Sequence, residues 1–159
     1  MYKHILIPTD GSEVSEDAAA AGIDLARALG ARVTAFHVVA DPALPGLEPW
    51  AHQDAGFATN LAMVLERRGT LYLQNIREAA MRAGVGCDCR LAHGASPHES
   101  IIAEANGGDY DLVVMASHGA RGGDGTLLGG ETVKTATLGT VPVLVHRKRR
   151  YLKAEAARR

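Results

Sequence analysis

Six glycines crowd the stretch from His118 to Gly130: Gly119, Gly122, Gly123, Gly125, Gly129 and Gly130. Glycines let backbone N–H groups approach an anion, and a helix beginning just beyond adds partial positive charge. Phosphate binding is the chemistry such a stretch could perform, and a plain surface loop is the alternative. It contains no Gly-Lys-Ser/Thr, so it is no Walker loop, and it is not the short dinucleotide fingerprint at a first strand. Asp10, within Pro8-Thr9-Asp10-Gly11-Ser12, is the second candidate. Its carboxylate could accept from a sugar hydroxyl, help hold a metal, or simply serve the turn. His118 could polarise a phosphate or act as a structural donor. His37 lies in an apolar run and reads as a core histidine.

No catalytic set accompanies them. There is no G-x-S-x-G element. Ser117 and His118 are adjacent, so on an extended segment their side chains diverge. The seven histidines lack metal-site spacing. Cys87 and Cys89 are two residues apart, too few for a zinc site and too close for a disulfide framework; they read as small strand residues. A binding module is favoured over an enzyme.

The elements that position these residues follow from periodicity. Ile5-Leu6-Ile7 and Asp111–Met115 are continuous apolar runs, suited to strands buried on both faces. Arg32–Val39, Val85–Leu91 and Val141–Val145 read as three more strands. A helix capped by Ser12 or Ser15 runs to Leu29 and stops at Gly30. A second spans about 58–83, with Leu61, Leu65, Tyr72, Ile76 and Ala83 near one stripe; Gly69 inside it costs about 1 kcal/mol relative to alanine. Ser96 can cap a third, with Pro97 at its first position. A short fourth covers Glu131–Leu138. Residues 40–56, with three prolines and Trp50, read as a loop. Alternation of this kind predicts a single doubly wound α/β domain, a five-stranded parallel sheet with helices on both faces. Ligands of such sheets sit at the carboxyl ends of strands near the switch in strand order. Both candidate loops leave such ends.

At 159 residues, 47% hydrophobic, the chain fits one domain with a substantial core. No apolar run approaches the ~20 residues of a membrane span, and the N-terminal apolar run is too short for a signal peptide. A cytoplasmic location is expected. Net charge is -1, but residues 147–159 carry seven basic and one acidic residue, against 10 and 17 in residues 1–146. The division is thus an acidic domain, 1–146, and a basic tail, 147–159. The tail is a solvated extension, a segment docking on the acidic body, or a contact to an anionic surface. The body does not look like a nucleic-acid binder, and no nucleic acid is expected as a partner.

Four segments together resemble the universal stress protein family over nearly the whole chain: Ile5–Ser12, Phe36–Val39, Asp111–Gly119 and Thr140–Val145. The resemblance implies strand order 3-2-1-4-5 and a homodimer, often joined through the last strand, here Val141–Val145. Pro142 in that strand suits an edge position, and an exposed edge must be covered or paired. The family divides into ATP binders and members lacking the nucleotide motif. That motif is Gly, two residues, Gly, nine residues, Gly, then Ser or Thr. Its positions here are Ala116, Gly119, Gly129 and Gly130, with spacing intact and the first and last identities changed. Ala116 is mild unless the position needs φ > 0 or close ligand approach. Gly130 removes a hydroxyl that could bind a terminal phosphate, a bond worth about 1.5–3 kcal/mol. Thr132 could supply another hydroxyl. Glu131 would repel phosphates unless Mg²⁺ or Arg121 intervenes. By resemblance Pro8, Thr9, Asp10 and Val38, with Met115 beside them, would line an adenine and ribose pocket. The expectation is ATP or another adenine nucleotide, with Mg²⁺ where phosphates require it. The alternatives are a nucleotide-free dimeric interaction module and, third, a weak nucleotide hydrolase.

Overall fold

The computed structural model describes residues 1–40, 55–119 and 128–147. Five parallel strands form one sheet in the order β3-β2-β1-β4-β5. β1 (His4–Pro8) and β4 (Leu112–Ala116) are buried at every position. They lie at the centre with helices over both faces, as their unbroken apolar runs demand. β1 pairs with β2 (Arg32–Ala40) from His4↔Arg32 to Pro8↔Phe36, and with β4 at Ile5↔Leu112 and Leu6↔Val113. The chain reverses its direction of winding between β1 and β4. The loops leaving these two strands therefore flank the crevice where such sheets take ligands.

α1 (Glu13–Leu29) starts as its sequence requires: Ser12 accepts from Ser15 N, and Glu13 and Glu16 occupy the positive end. Gly30 closes it in the left-handed region, φ 65°. α1 and α2 (Ala55–Arg82) cover one face, where Ile5, Ile7, Val33 and Val114 meet Ile23, Leu73 and Ile76. α3 (Pro97–Gly107) covers the other, where Leu6, Phe36, Val113 and Met115 meet Ile101 and Ala105. α4 (Gly130–Leu138) packs beside α3 and reaches β5 (Val143–His146).

Two strand starts and one helix face differ from the sequence reading. β3 runs over Cys87–Gly94, starting two residues later than expected. Val85 is buried but spends its N–H on Ala80 O, closing α2 through Gly84 at φ 73°. Pairing to β2 begins only at Val33↔Cys87. β5 starts at Val143, after Pro142, whose carbonyl accepts from Val113 N. The buried line of α2 passes through Gly69, Leu73, Ile76 and Ala80, while Leu61 and Leu65 are only half-buried. Trp50, the loop segment 41–54, Arg121 and the tail beyond residue 147 lie outside the described residues.

Candidate functional site

The first loop is a turn held from within. Thr9 N extends the sheet by donating to Phe36 O at 2.9 Å. Thr9 Oγ1 lies 2.9 Å from Ser15 Oγ and accepts from Gly11 N at 3.1 Å. Asp10 Oδ1 accepts from Ser12 N at 3.0 Å and from Ser12 Oγ at 2.5 Å. One carboxylate oxygen therefore builds the turn. The other, Oδ2, faces the second loop: a Cβ placed on Gly119 would lie 2.6 Å from it. A glycine at 119 is what lets the chain pass this carboxylate.

The second loop leaves β4 through Ser117, whose N–H donates to His146 O at 2.9 Å. Its far end returns to the same point, with Gly129 N donating to Ser117 O at 2.7 Å. A Cβ on Gly129 would lie 3.0 Å from His118 Cα, so the closure needs a small residue. Gly130 has open space where a side chain would be. α4 begins here, and Gly129 supplies no side-chain cap. Ala116 sits in strand conformation, and no described non-glycine residue has positive φ, so alanine fits there without strain.

Pro8 and Ala116 thus end neighbouring strands, Asp10 meets Gly119, and His118 meets Gly129. Val38 and Met115 share the α3 side of the sheet. Two side chains just past the motif are directed elsewhere. Thr132 is buried, and its hydroxyl donates to Ala116 O at 2.9 Å, tying α4 to the end of β4. Glu131 reaches the start of α3: its Oε2 accepts from His98 N at 2.7 Å and lies 3.0 Å from His98 Nδ1. Ser96 occupies the N-cap position of α3 but makes no side-chain cap bond, and Glu131 supplies the acceptor instead. Glu131→Ala is accordingly expected to lower stability by about 1 kcal/mol, the usual value of a lost cap. Glu131→Gln, which retains an acceptor, should cost less than half of that in urea unfolding.

Ser117 and His118 do not diverge: Ser117 Oγ lies 2.9 Å from His118 Nδ1. The strand has ended and the backbone bends, so adjacent side chains can meet. Sequence reasoning also missed the support behind the first loop. His37 is half-buried, with Nδ1 2.8 Å from Thr9 O. Its ring meets Tyr72 edge to face, with centroids 5.5 Å apart, and Tyr72 in turn lies over Gly11. The signal was Gly69, an unfavourable residue in mid-helix: a Cβ there would lie 2.4 Å from His37 Cδ2. Beside the loop, a cleft of about 260 Å³ runs between α1 and α2, with Thr9, Gly11 and Tyr72 in its wall.

Among the described residues no three metal-binding side chains converge, and no helix is long and apolar enough to cross a membrane. The features that would suit a nucleotide are the close pass of Gly119 over Asp10, the closure at Gly129 and the open start of α4.

Comparison with known proteins agrees with this architecture. The model of the universal stress protein family matches residues 1–147. A universal stress protein of Methanocaldococcus jannaschii is 32% identical over 148 residues, covering 93% of this chain and 84% of the relative. The solved structure of a universal stress protein from Lactobacillus plantarum superposes with a TM-score of 0.79 at 20% identity, covering 92% of this chain and 98% of the other. A universal stress protein solved in complex with cAMP superposes at 0.66 and 22% identity, covering 93% and 99%. The Archaeoglobus fulgidus protein in complex with dAMP superposes at 0.64 and 18%, covering 92% and 98%. With β1 and β4 central, the two loops facing each other across the switch point and the family match running from the first residue to the last strand, the chain belongs to the universal stress protein family.

Proposed function

We propose that this chain binds an adenine nucleotide at the carboxyl ends of β1 and β4. The observation that carries the reading is the meeting of Asp10 and Gly119, brought from sequence-distant loops to the switch point. Asp10 keeps Oδ1 on its own turn and presents Oδ2 toward a ribose hydroxyl. Pro8, Thr9 and Val38, with Met115, line the adenine side. Ala116, His118, Gly119, Gly129 and Gly130 surround the phosphates, aided by the positive end of α4. Glu131 is engaged with His98, which reduces its repulsion of phosphate. Thr132 spends its proton on Ala116 O and supports the loop rather than the ligand.

The phosphate end is the weaker one, because Gly130 supplies an N–H and no hydroxyl. This favours short-phosphate nucleotides over ATP with Mg²⁺, in keeping with the cAMP and dAMP held by the two structural neighbours. The role is binding in a cytoplasmic stress response, signalled through the glycine-rich loop, and not turnover. A homodimer through Val141–Val145 accompanies it: β5 is an edge strand and Leu144 on it is exposed. Residues 147–159, which follow β5 in sequence, are the basic tail outside the 1–146 domain.

Calorimetric titration of nucleotide-stripped protein tests the site. AMP is expected to bind at least as tightly as ATP with Mg²⁺, and Asp10→Ala should weaken both at least ~10-fold, the loss of a hydrogen bond to a charged group. Gly130→Ser, whose side chain meets open space, should raise ATP affinity about tenfold and leave AMP unchanged. Absence of heat with either nucleotide would favour the second reading, a nucleotide-free dimeric module, which the missing hydroxyl at Gly130 supports.

A further inference from the structure

Cys87 and Cys89 take no part in the site above. They lie two residues apart on β3, an edge strand of the sheet. Such residues project from one face, and here it is the face covered by α2. Cys87 packs against the cluster built by α1 and α2, and Cys89 Sγ donates to Leu73 O of α2 at 3.4 Å. Both thiols are free. Burial pushes the Cys87 thiol up to about 11, with Cys89 adding to the effect; burial also raises Cys89, while the charge of Arg77 pulls it down. Both thiols are protonated at neutral pH.

Spacing decides which chemistry the pair can do. Successive same-face positions of a strand are about 6.6 Å apart, whereas a disulfide draws the Cβ atoms to about 3.5–4.5 Å. Oxidation would have to buckle β3 out of its pairing at Val33↔Cys87 and Ala35↔Cys89. Two metal–thiolate bonds of about 2.3 Å each span about 4.6 Å between sulfurs, which side-chain rotation can supply. The donor number is equally restrictive. Among the described residues no third His, Cys, Asp or Glu joins the pair, so a cation needing four donors, such as Zn²⁺, is left short. Thiolates select soft ions, Cu(I) above all.

We propose that Cys87 and Cys89 form a two-coordinate site for a soft monovalent cation of the Cu(I) class, at the seam between β3 and α2. Each S–H bond gives its proton to solvent and is replaced by an S–Cu bond. Two protons leave per ion, and no electron is transferred. The bis-thiolate complex carries one negative charge, which Arg77 balances.

The test is anaerobic titration of the reduced full chain with Cu(I) buffered by a chromogenic chelator. The expected result is one Cu(I) per chain, two protons released, both thiols lost to a thiol reagent, and a thiolate-to-metal band in the ultraviolet. Cys87→Ser and Cys89→Ser should each lower affinity at least ~100-fold, with unchanged unfolding midpoints confirming that the variants are folded; Cys89 is exposed and its serine variant is the safer one. Failure of the wild-type chain to take Cu(I) from the chelator overturns the proposal. So does one thiol consumed per ion, wild-type affinity in either single variant, or equal binding by the Cys87→Ser/Cys89→Ser double variant.

Discussion

Gly11→Ala is expected to lower the stability of this protein by about 3 kcal/mol or more, a large share of the roughly 5–15 kcal/mol that holds a domain together. Two independent costs combine. Gly11 has φ +75°, where an L-residue is strained by about 1–2 kcal/mol. Its Cβ would also fall 2.2 Å from Tyr72 Cζ, inside the ring that covers the turn. Tyr72 is on α2 and Gly11 joins β1 to α1, so for the methyl to fit the ring must leave the turn and disturb its edge-to-face contact with His37. The two parts separate in a Tyr72→Ala background. There the ring is gone and only backbone strain remains, so Gly11→Ala should cost about 1–2 kcal/mol. Denaturant midpoints of the four proteins give the comparison, and an unchanged cost without the ring would show that Tyr72 is not the obstacle. Because the same turn presents Asp10, the folded fraction of Gly11→Ala should also bind nucleotide more weakly than wild type.

Gly69→Ala is expected to reverse the ordinary rule for helices. In an exposed helix interior, replacing glycine by alanine stabilises by about 1 kcal/mol. Here the added methyl would stand 2.4 Å from His37 Cδ2 and 3.1 Å from Leu91 Cδ1. The imidazole cannot swing aside without losing its 2.8 Å contact from Nδ1 to Thr9 O. Net destabilisation of about 2 kcal/mol should result. In a His37→Ala background the obstacle disappears, and Gly69→Ala should become stabilising by up to about 1 kcal/mol. Thermal unfolding of the two pairs reads this change of sign directly. An equal effect in both backgrounds would place the cost of Gly69→Ala elsewhere than at the imidazole.

Both experiments concern the back of the first loop. His37 and Tyr72 come from β2 and α2, yet they hold Thr9 and cover Gly11, which lie between β1 and α1. The shape of the first loop therefore depends on a helix that contributes no motif residue. Glu131 makes the same point on the other side of the sheet. It directly follows the last motif position, Gly130, but its carboxylate caps α3.

The sequence by itself determined the elements and their stacking. Unbroken apolar runs at Ile5–Ile7 and Leu112–Met115 require burial on both sides, and alternation with helical stripes leaves a parallel sheet as the economical arrangement. Capping chemistry narrowed the start of α1 to Ser12 or Ser15 and its end to Gly30, because those signals are local and act within one turn. The spacing of Ala116, Gly119, Gly129 and Gly130 marked the second loop through the family resemblance. What only the tertiary structure decided was where side chains go once elements meet. The pairing of Asp10 with Gly119 spans more than a hundred residues and depends on β1 and β4 being neighbours. The reach of Glu131 to His98, of Thr132 to Ala116 and of His37 to Thr9 depends on which helix end faces which strand end. Periodicity specifies which face of an element is buried, but it carries no information about the partner on that face. That partner is set by packing, and here packing turned an unfavourable mid-helix glycine into part of the support of the first loop.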